Sequence, residues 1–498
     1  MKKLMALLAA LTLALAMAVP AFAETTTTTY TITIKNGTGT YAAYQIFKGD
    51  LHGDTLSNIQ WGDNVTAAGQ AELGNAADKA KELTNTEKAK DFAVDVAKYL
   101  TDTAAGTGTT SITVSSPGYY LIKNTAVGTD EVYTDYILQV VKDVEVNPKS
   151  GKPTLDKQIK HNDNGTWGVV GDNQIGDTVE FRTITTVPNV SGYTQYKYVI
   201  YDEMSAGLTS NVKTKDNVTI KVNDTTELDN AYYTVTVDGT NANKFTVTIN
   251  VLKAIEDGEM AAGNELYTYY TGILNENAKV YNDGKQDNKA YLEYSNNPHD
   301  NTTTNKTPEK VVYDWTFKME VNKVDGESNA PLTDAKFVLS KKEKPDLGEI
   351  RDDGTPSTTK DLINLIDNGD GSYTVAPADY TGTYVMTAGN ITIKGLDDAT
   401  EYYLYETKAP AGYNRLTDAV KFKITAVYDE TSEKCTSVTT TVNEDDPQAG
   451  LSITVKNNKG ASLPSTGGIG TTLFYVIGGG LMAVAAVLLV AKKRMNNK

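Results

Sequence analysis

The sequence holds one cysteine, Cys435, in 498 residues, so no disulfide can form within the chain. It holds three histidines, His52, His161 and His299, too far apart to suggest a metal cluster or a Ser-His-Asp triad. Positive charge is short as well: 47 Lys and Arg face 63 Asp and Glu, a formal charge of −16. Nucleic-acid binding needs a basic footprint, and this chain lacks one; the acidity suits solubility in an exposed protein. Phenylalanine is sparse, 9 against 30 tyrosines, and long helical periodicities are few. Many threonines and valines remain, which points to an all-β chain of sandwich domains. No cofactor is expected, and no catalytic cluster of the kind a secreted hydrolase needs is legible. Asp367-Asn368-Gly369-Asp370-Gly371 has the acidic spacing of a calcium loop but no later bidentate Glu, so a hairpin turn is the expectation there.

The two ends carry processing signals. Lys2-Lys3, the apolar stretch Leu4 to Val19 and Ala21-Phe22-Ala23 read as a secretory signal peptide over 1–23. At the other end, Leu463-Pro464-Ser465-Thr466-Gly467 precedes an apolar run from Leu473 to Ala491 and then Lys492-Lys493-Arg494. The apolar run is about 28 Å long as a helix, enough to cross a bilayer, and the basic tail would stay cytoplasmic. This order resembles the cell-wall sorting signal of Gram-positive surface proteins. The resemblance implies that a sortase cysteine cleaves after Thr466 and passes the acyl group to an amine.

About 440 residues lie between these signals, enough for roughly three domains. The expected divisions are 24–148, 149–313 and 314–460, followed by the sorting signal at 461–498. In the first segment, strand patterns at Tyr30–Lys35, Tyr44–Phe47, Gly118–Ile122 and Tyr136–Val141 surround one capping-box signal, Thr84-x-x-Glu87. A sandwich with one inserted helix is expected. The segment ends in Val144-Glu145-Val146-Asn147-Pro148-Lys149, where Pro148 cannot join a ladder and should leave Lys149 clear of the sheet.

In the second segment three polar residues keep step with apolar faces. Lys157 has the parity of Leu155 and Ile159, Asp202 that of Tyr198 and Ile200, and Asn296 that of Leu292 and Tyr294. Asn297 and Glu203 are the alternative amide and acid. The third segment repeats the pattern with Lys323 beside Val321, Glu406 after Leu404, and Asn457 after Ile453 and Val455. Alternation aims each group at the core, where an unpaired charge is costly.

Tyr403-Leu404-Tyr405-Glu406-Thr407-Lys408-Ala409-Pro410-Ala411-Gly412-Tyr413 resembles the E-box of pilins and of collagen-adhesin B-type domains. The run ending at Lys149 is similar to the pilin motif, with Asn147 in place of its tyrosine and Val140 where a tryptophan is often found. Together with the sorting signal, the chain resembles a major (backbone) pilin of sortase-assembled Gram-positive pili. A wall-anchored monomeric adhesin, or a minor pilin at base or tip, is the runner-up. The resemblance implies Ig-like domains closed by Lys–Asn isopeptide bonds: Lys157–Asn296 with Asp202, and Lys323–Asn457 with Glu406. It also implies that Lys149 accepts Thr466 of another copy. The implied partners are further copies of the chain, a pilin sortase and a housekeeping sortase, minor pilins and peptidoglycan. Lys123 stands where the first segment's acid should be, so no bond is expected there, although Lys35 and Asn147 could supply a lysine and an amide.

Overall fold

The computed structural model describes residues 28–35, 39–84, 86–126, 135–146, 152–190, 193–297, 302–378, 380–460 and 470–495. Lys149, Asn147, Thr466 and the whole Leu463–Gly467 motif lie outside them. Strands dominate, and the sheets fall into three groups along the chain, over residues 30–146, 155–315 and 317–457.

The first group packs a three-stranded sheet (Ser111–Val114, Tyr30–Ile34, Val144–Val146) against a five-stranded one built around Thr40–His52 and Gly118–Ala126. Ile32, Tyr120, Ile122 and Val140 fill the space between them. The expectation of one helix is corrected to three among the described residues: Ala67–Leu73, Ala76–Glu82 and Thr86–Val96. The first two are too short to show an amphipathic period in sequence. Their starts are set by caps, with Thr66 accepting from Gly69 N–H and Asn75 accepting from Asp78 N–H. The third helix brings Phe92 and Val96 onto Phe47 and Leu121, making a second small core under the helices.

The middle group is a sandwich of two seven-stranded sheets. One contains Leu155–Lys160, Thr178–Thr186 and Glu265–Leu274; the other contains Tyr198–Met204, Gln286–Ser295 and Lys310–Trp315. Glu265–Leu274 is a strand that the sequence reading missed. It alternates cleanly, with Leu266, Thr268 and Tyr270 inward and Tyr267 and Tyr269 outward.

The distal group packs a five-stranded sheet, which contains Phe317–Asp325 between Asn390–Leu396 and Ser452–Asn457, against a six-stranded sheet that contains Glu401–Lys408. Its first strand, Phe317–Asp325, pairs in parallel with its last, Ser452–Asn457, so that Lys323 stands opposite Val455 and Asp325 opposite Asn457. The first group has the same closure, Tyr30–Ile34 in parallel with Val144–Val146. A continuous apolar core runs through the middle and distal groups together, whereas the first group keeps its own cores. At the junction, Ile175 N–H bonds to the Gly395 carbonyl at 3.1 Å. A side chain at Gly395 (φ +86°) would collide with Ile175, so glycine is needed for this approach.

The helix Gly470–Met495 follows. Its Phe474–Met495 portion has mean hydropathy 2.3, is long and apolar enough to cross a membrane, and is not buried against the rest of the chain.

Candidate functional site

In the distal domain, strand alternation turns Lys323 inward from Phe317–Asp325 and Glu406 inward from the opposing sheet, and both side chains are sealed from solvent. Lys323 Nζ lies 3.7 Å from Glu406 Oε1 and donates to the Val455 carbonyl at 3.3 Å. Asn457, 1% exposed, donates from Nδ2 to Glu406 Oε2 at 2.8 Å and also to the Asn414 carbonyl. Leu416 N–H donates to the same Glu406 oxygen at 2.7 Å. The E-box ends in Tyr413, whose hydroxyl donates to Asp325 Oδ2 at 2.7 Å and holds the covering loop down. Glu406 Oε1 and Asn457 Oδ1 are buried with no hydrogen-bond partner. Burial pushes the Lys323 amine below its ordinary pKa, against the opposing pull of Glu406. The three residues named from sequence in this domain thus meet in one dry pocket.

The middle domain brings together two of its three. Lys157 Nζ lies 2.6 Å from Asp202 Oδ2, with side chains 0% and 1% exposed. The Tyr270 hydroxyl bridges them, accepting from Lys157 and donating to Asp202. Burial drives the Lys157 amine down and the Asp202 acid up, each opposed by the other's charge. The Tyr270 phenol is raised by burial and by Asp202.

Asn296 is not in this group. In the ladder, Asp202 stands opposite Ala290 and Tyr198 opposite Tyr294. Asn296 therefore lies about six residues along the strand direction from the acid, roughly 20 Å. Asn288 stands close instead, 1% exposed on the same inward face, with Nδ2 donating to Tyr270 at 3.5 Å and its Oδ1 buried without a partner. Asn288 also reaches Asp202 closely enough to hold its acid down slightly against burial. Parity selects a face of a strand but not the level along it, and Asn288 and Asn296 share parity. The register, which sequence did not reveal, selects Asn288. Tyr270 was missed because its strand was missed. Glu203, the alternative acid, faces outward and pairs with Lys244 at 2.9 Å.

The two sites differ in geometry. Lys157 belongs to one sheet of its sandwich, and Asp202 and Asn288 to the other. Lys323 and Asn457 sit on adjacent parallel strands of one sheet, with Glu406 across from them.

The first domain has no such group among its described residues. The inward positions of its first strand are Tyr30, Ile32 and Ile34. Lys35 lies outside the core in an exposed ion pair with Glu145 at 2.6 Å. The ladder beside it ends at Val146, three residues before Lys149.

Residues 317–441 match the family model described as a SpaA prealbumin-like fold domain, and residues 455–498 match the LPXTG cell wall anchor motif. The chain is similar to the trypsin-resistant surface T6 protein of Streptococcus pyogenes, 27% identical over 45% of this chain and 48% of that protein. It is also similar to fimbrial subunit type 1 of Actinomyces viscosus, 26% identical over 70% of this chain and 66% of that protein. The match thus spans about half of the first relative's length and just under two thirds of the second's. Among solved structures, the T6 backbone pilin of serotype M6 Streptococcus pyogenes aligns over 87% of this chain and 98% of its own, at 16% identity and TM-score 0.47. The chain carries a cell-wall anchor motif behind a SpaA-type domain, in keeping with its resemblance to sortase-assembled Gram-positive pilins.

Proposed function

We infer that this chain is the structural backbone subunit of a covalently polymerised surface pilus, exported, assembled by sortase and anchored to the cell wall. The observation that carries the reading is an LPXTG anchor motif joined to two domains whose cores hold a lysine, an acid and an asparagine. The chain acts as a substrate: a sortase cleaves after Thr466 and transfers that carbonyl to the Lys149 amine of the next copy. Head-to-tail joining is heterologous and does not close, so it builds a fibre. Minor pilins and peptidoglycan are the other partners of such a polymer, and adhesion its use.

Within each copy, the buried groups are suited to forming their own cross-links. Burial favours a neutral amine at Lys157 and at Lys323, and a protonated acid at Asp202, over the ion pair. The amine attacks the asparagine Cγ, a new C–N bond forms, the old one breaks, and ammonia leaves with the proton lost by the lysine. The acid polarises the amide carbonyl and relays the proton. Proximity supplies most of the acceleration, because the fold replaces a bimolecular encounter. The pairs are Lys323–Asn457 with Glu406, and Lys157–Asn288 with Asp202 and Tyr270. Two covalent ties would stabilise an exported chain that has one cysteine.

The test is an immunoblot of wall extracts, boiled in detergent, from wild type and Lys149→Ala cells. A high-mass ladder that collapses to monomer in the variant supports both the polymer and its nucleophile. A ladder that persists assigns the attack to another lysine, with Lys142 and Lys152 the neighbours. Monomer in wild type would mean a wall-anchored adhesin instead.

A further inference from the structure

The strand Val170–Asp172 ends where the middle and distal domains meet, and it sets Asp172 against two carboxylates from the other side, Asp397 and Asp398. One carboxylate oxygen from each lies within 4.8 Å of the other two, and the residues are 1%, 6% and 5% exposed. Two of the three accept hydrogen bonds from donors outside the cluster. Asn162 Nδ2 donates to both oxygens of Asp397 at 3.0 Å, and Thr400 Oγ1 donates at 3.1 Å. Asp398 accepts Ala426 N–H at 2.9 Å.

Asp172 differs from its neighbours. Its Oδ2 is sealed from solvent with no hydrogen-bond partner. The Tyr428 hydroxyl is likewise buried without a partner, and it feels the charge of all three carboxylates. The charge of Lys341 reaches Asp397. Three like charges gathered in a dry junction repel strongly unless something neutralises them.

We propose that Asp172, Asp397 and Asp398 bind a divalent cation of the calcium type, which pins the middle domain to the distal one. Carboxylate oxygens form a hard donor set, which selects calcium or magnesium over softer metals. Magnesium gives up its waters reluctantly and keeps several of them, whereas calcium accepts a site built mainly of protein oxygens, which suits carboxylates as buried as these. The hairpin at Asp367–Gly371 is a different feature, because its carboxylates are engaged locally. Asp367 accepts Gly369 N–H at 2.9 Å, and Asp370 accepts the Ser372 hydroxyl at 2.6 Å.

The experiment strips the full-length chain in detergent with EGTA and then titrates it with calcium chloride, followed by calorimetry and by thermal unfolding. The expected result is one bound equivalent and a midpoint raised by roughly 5 °C at saturation. Both are lost in Asp172→Asn and in Asp398→Asn and kept in Asp370→Asn. Terbium luminescence excited through tyrosine and displaced by calcium gives a second reading on wild type, so failure of a variant to fold leaves the titration decisive. Wild type that takes up no calcium, with a midpoint indifferent to EGTA, overturns the proposal; protons alone then neutralise the carboxylates. An equivalent that survives Asp172→Asn and Asp398→Asn but vanishes in Asp370→Asn overturns it in favour of the hairpin.

Discussion

The first and distal domains close in the same way and fill the closure with opposite chemistry. In each, the first strand pairs in parallel with the last. In the first domain Ile32 and Ile34 stand beside Val144 and Val146, and Lys35 lies outside with Glu145. In the distal domain the inward position is Lys323, opposite Val455, with Glu406 and Asn457 within reach of it. One topology can therefore be held by packing alone or prepared for a covalent tie. The difference rests on whether a single inward position is apolar or ionisable. An isolated buried lysine would be a liability, and it is tolerable here because an acid and an amide share its pocket.

The largest expected consequence is between the domains themselves. By analogy with disulfides, a cross-link closing a loop as long as 323–457 adds roughly 5 kcal/mol, or between three and four powers of ten in opening equilibrium. Hydrogen exchange on the full chain should therefore show core amides of the first domain exchanging far faster than those of the other two. Equal protection in all three would break the comparison.

Glu406→Ala should make the distal domain behave like the first. The variant should be heavier than expected for the substitution by one ammonia, because the bond no longer forms, and it should lose about the same 5 kcal/mol on thermal unfolding. Retention of the ammonia deficit would remove Glu406 from the chemistry.

In the middle domain the choice between two asparagines can be tested directly. Asn288→Ala should abolish that domain's ammonia deficit and lower its stability by a comparable amount. Asn296→Ala should keep the deficit in the mass spectrum and shift stability by no more than about 1 kcal/mol. The reverse pattern would restore Asn296.

Lys35→Ala should be the mildest change, within about 1 kcal/mol on the first domain's unfolding and with no change in ammonia content. Exposed ion pairs contribute little. A loss of several kcal/mol would show that the first domain also depends on its lysine.

Much of this was legible in the sequence, and the failures have physical causes. Strand parity put Lys157, Asp202, Lys323, Glu406 and Asn457 inside, because alternation is a local property of the chain. The distal triplet could be read whole, since its asparagine lies at the end of the last strand. Asn288 could not be told from Asn296, because both keep the same parity and only the pairing Asp202–Ala290 fixes the level. Tyr270 was hidden in a tyrosine-rich strand, Glu265–Leu274, that had not been read as one. The two short helices Ala67–Leu73 and Ala76–Glu82 carry too few turns to show a period. The Asp172, Asp397 and Asp398 cluster joins residues more than 200 positions apart across a domain junction. No local pattern announces such a contact.

The most direct test of the central claim is the intact mass of the wild-type chain, followed by mapping of its cross-linked peptides. The expected result is a deficit of two ammonia molecules, one for a bond between Lys323 and Asn457 and one for a bond between Lys157 and Asn288, with none in the first domain. A full mass with no deficit, or a cross-link located in the first domain, would contradict it.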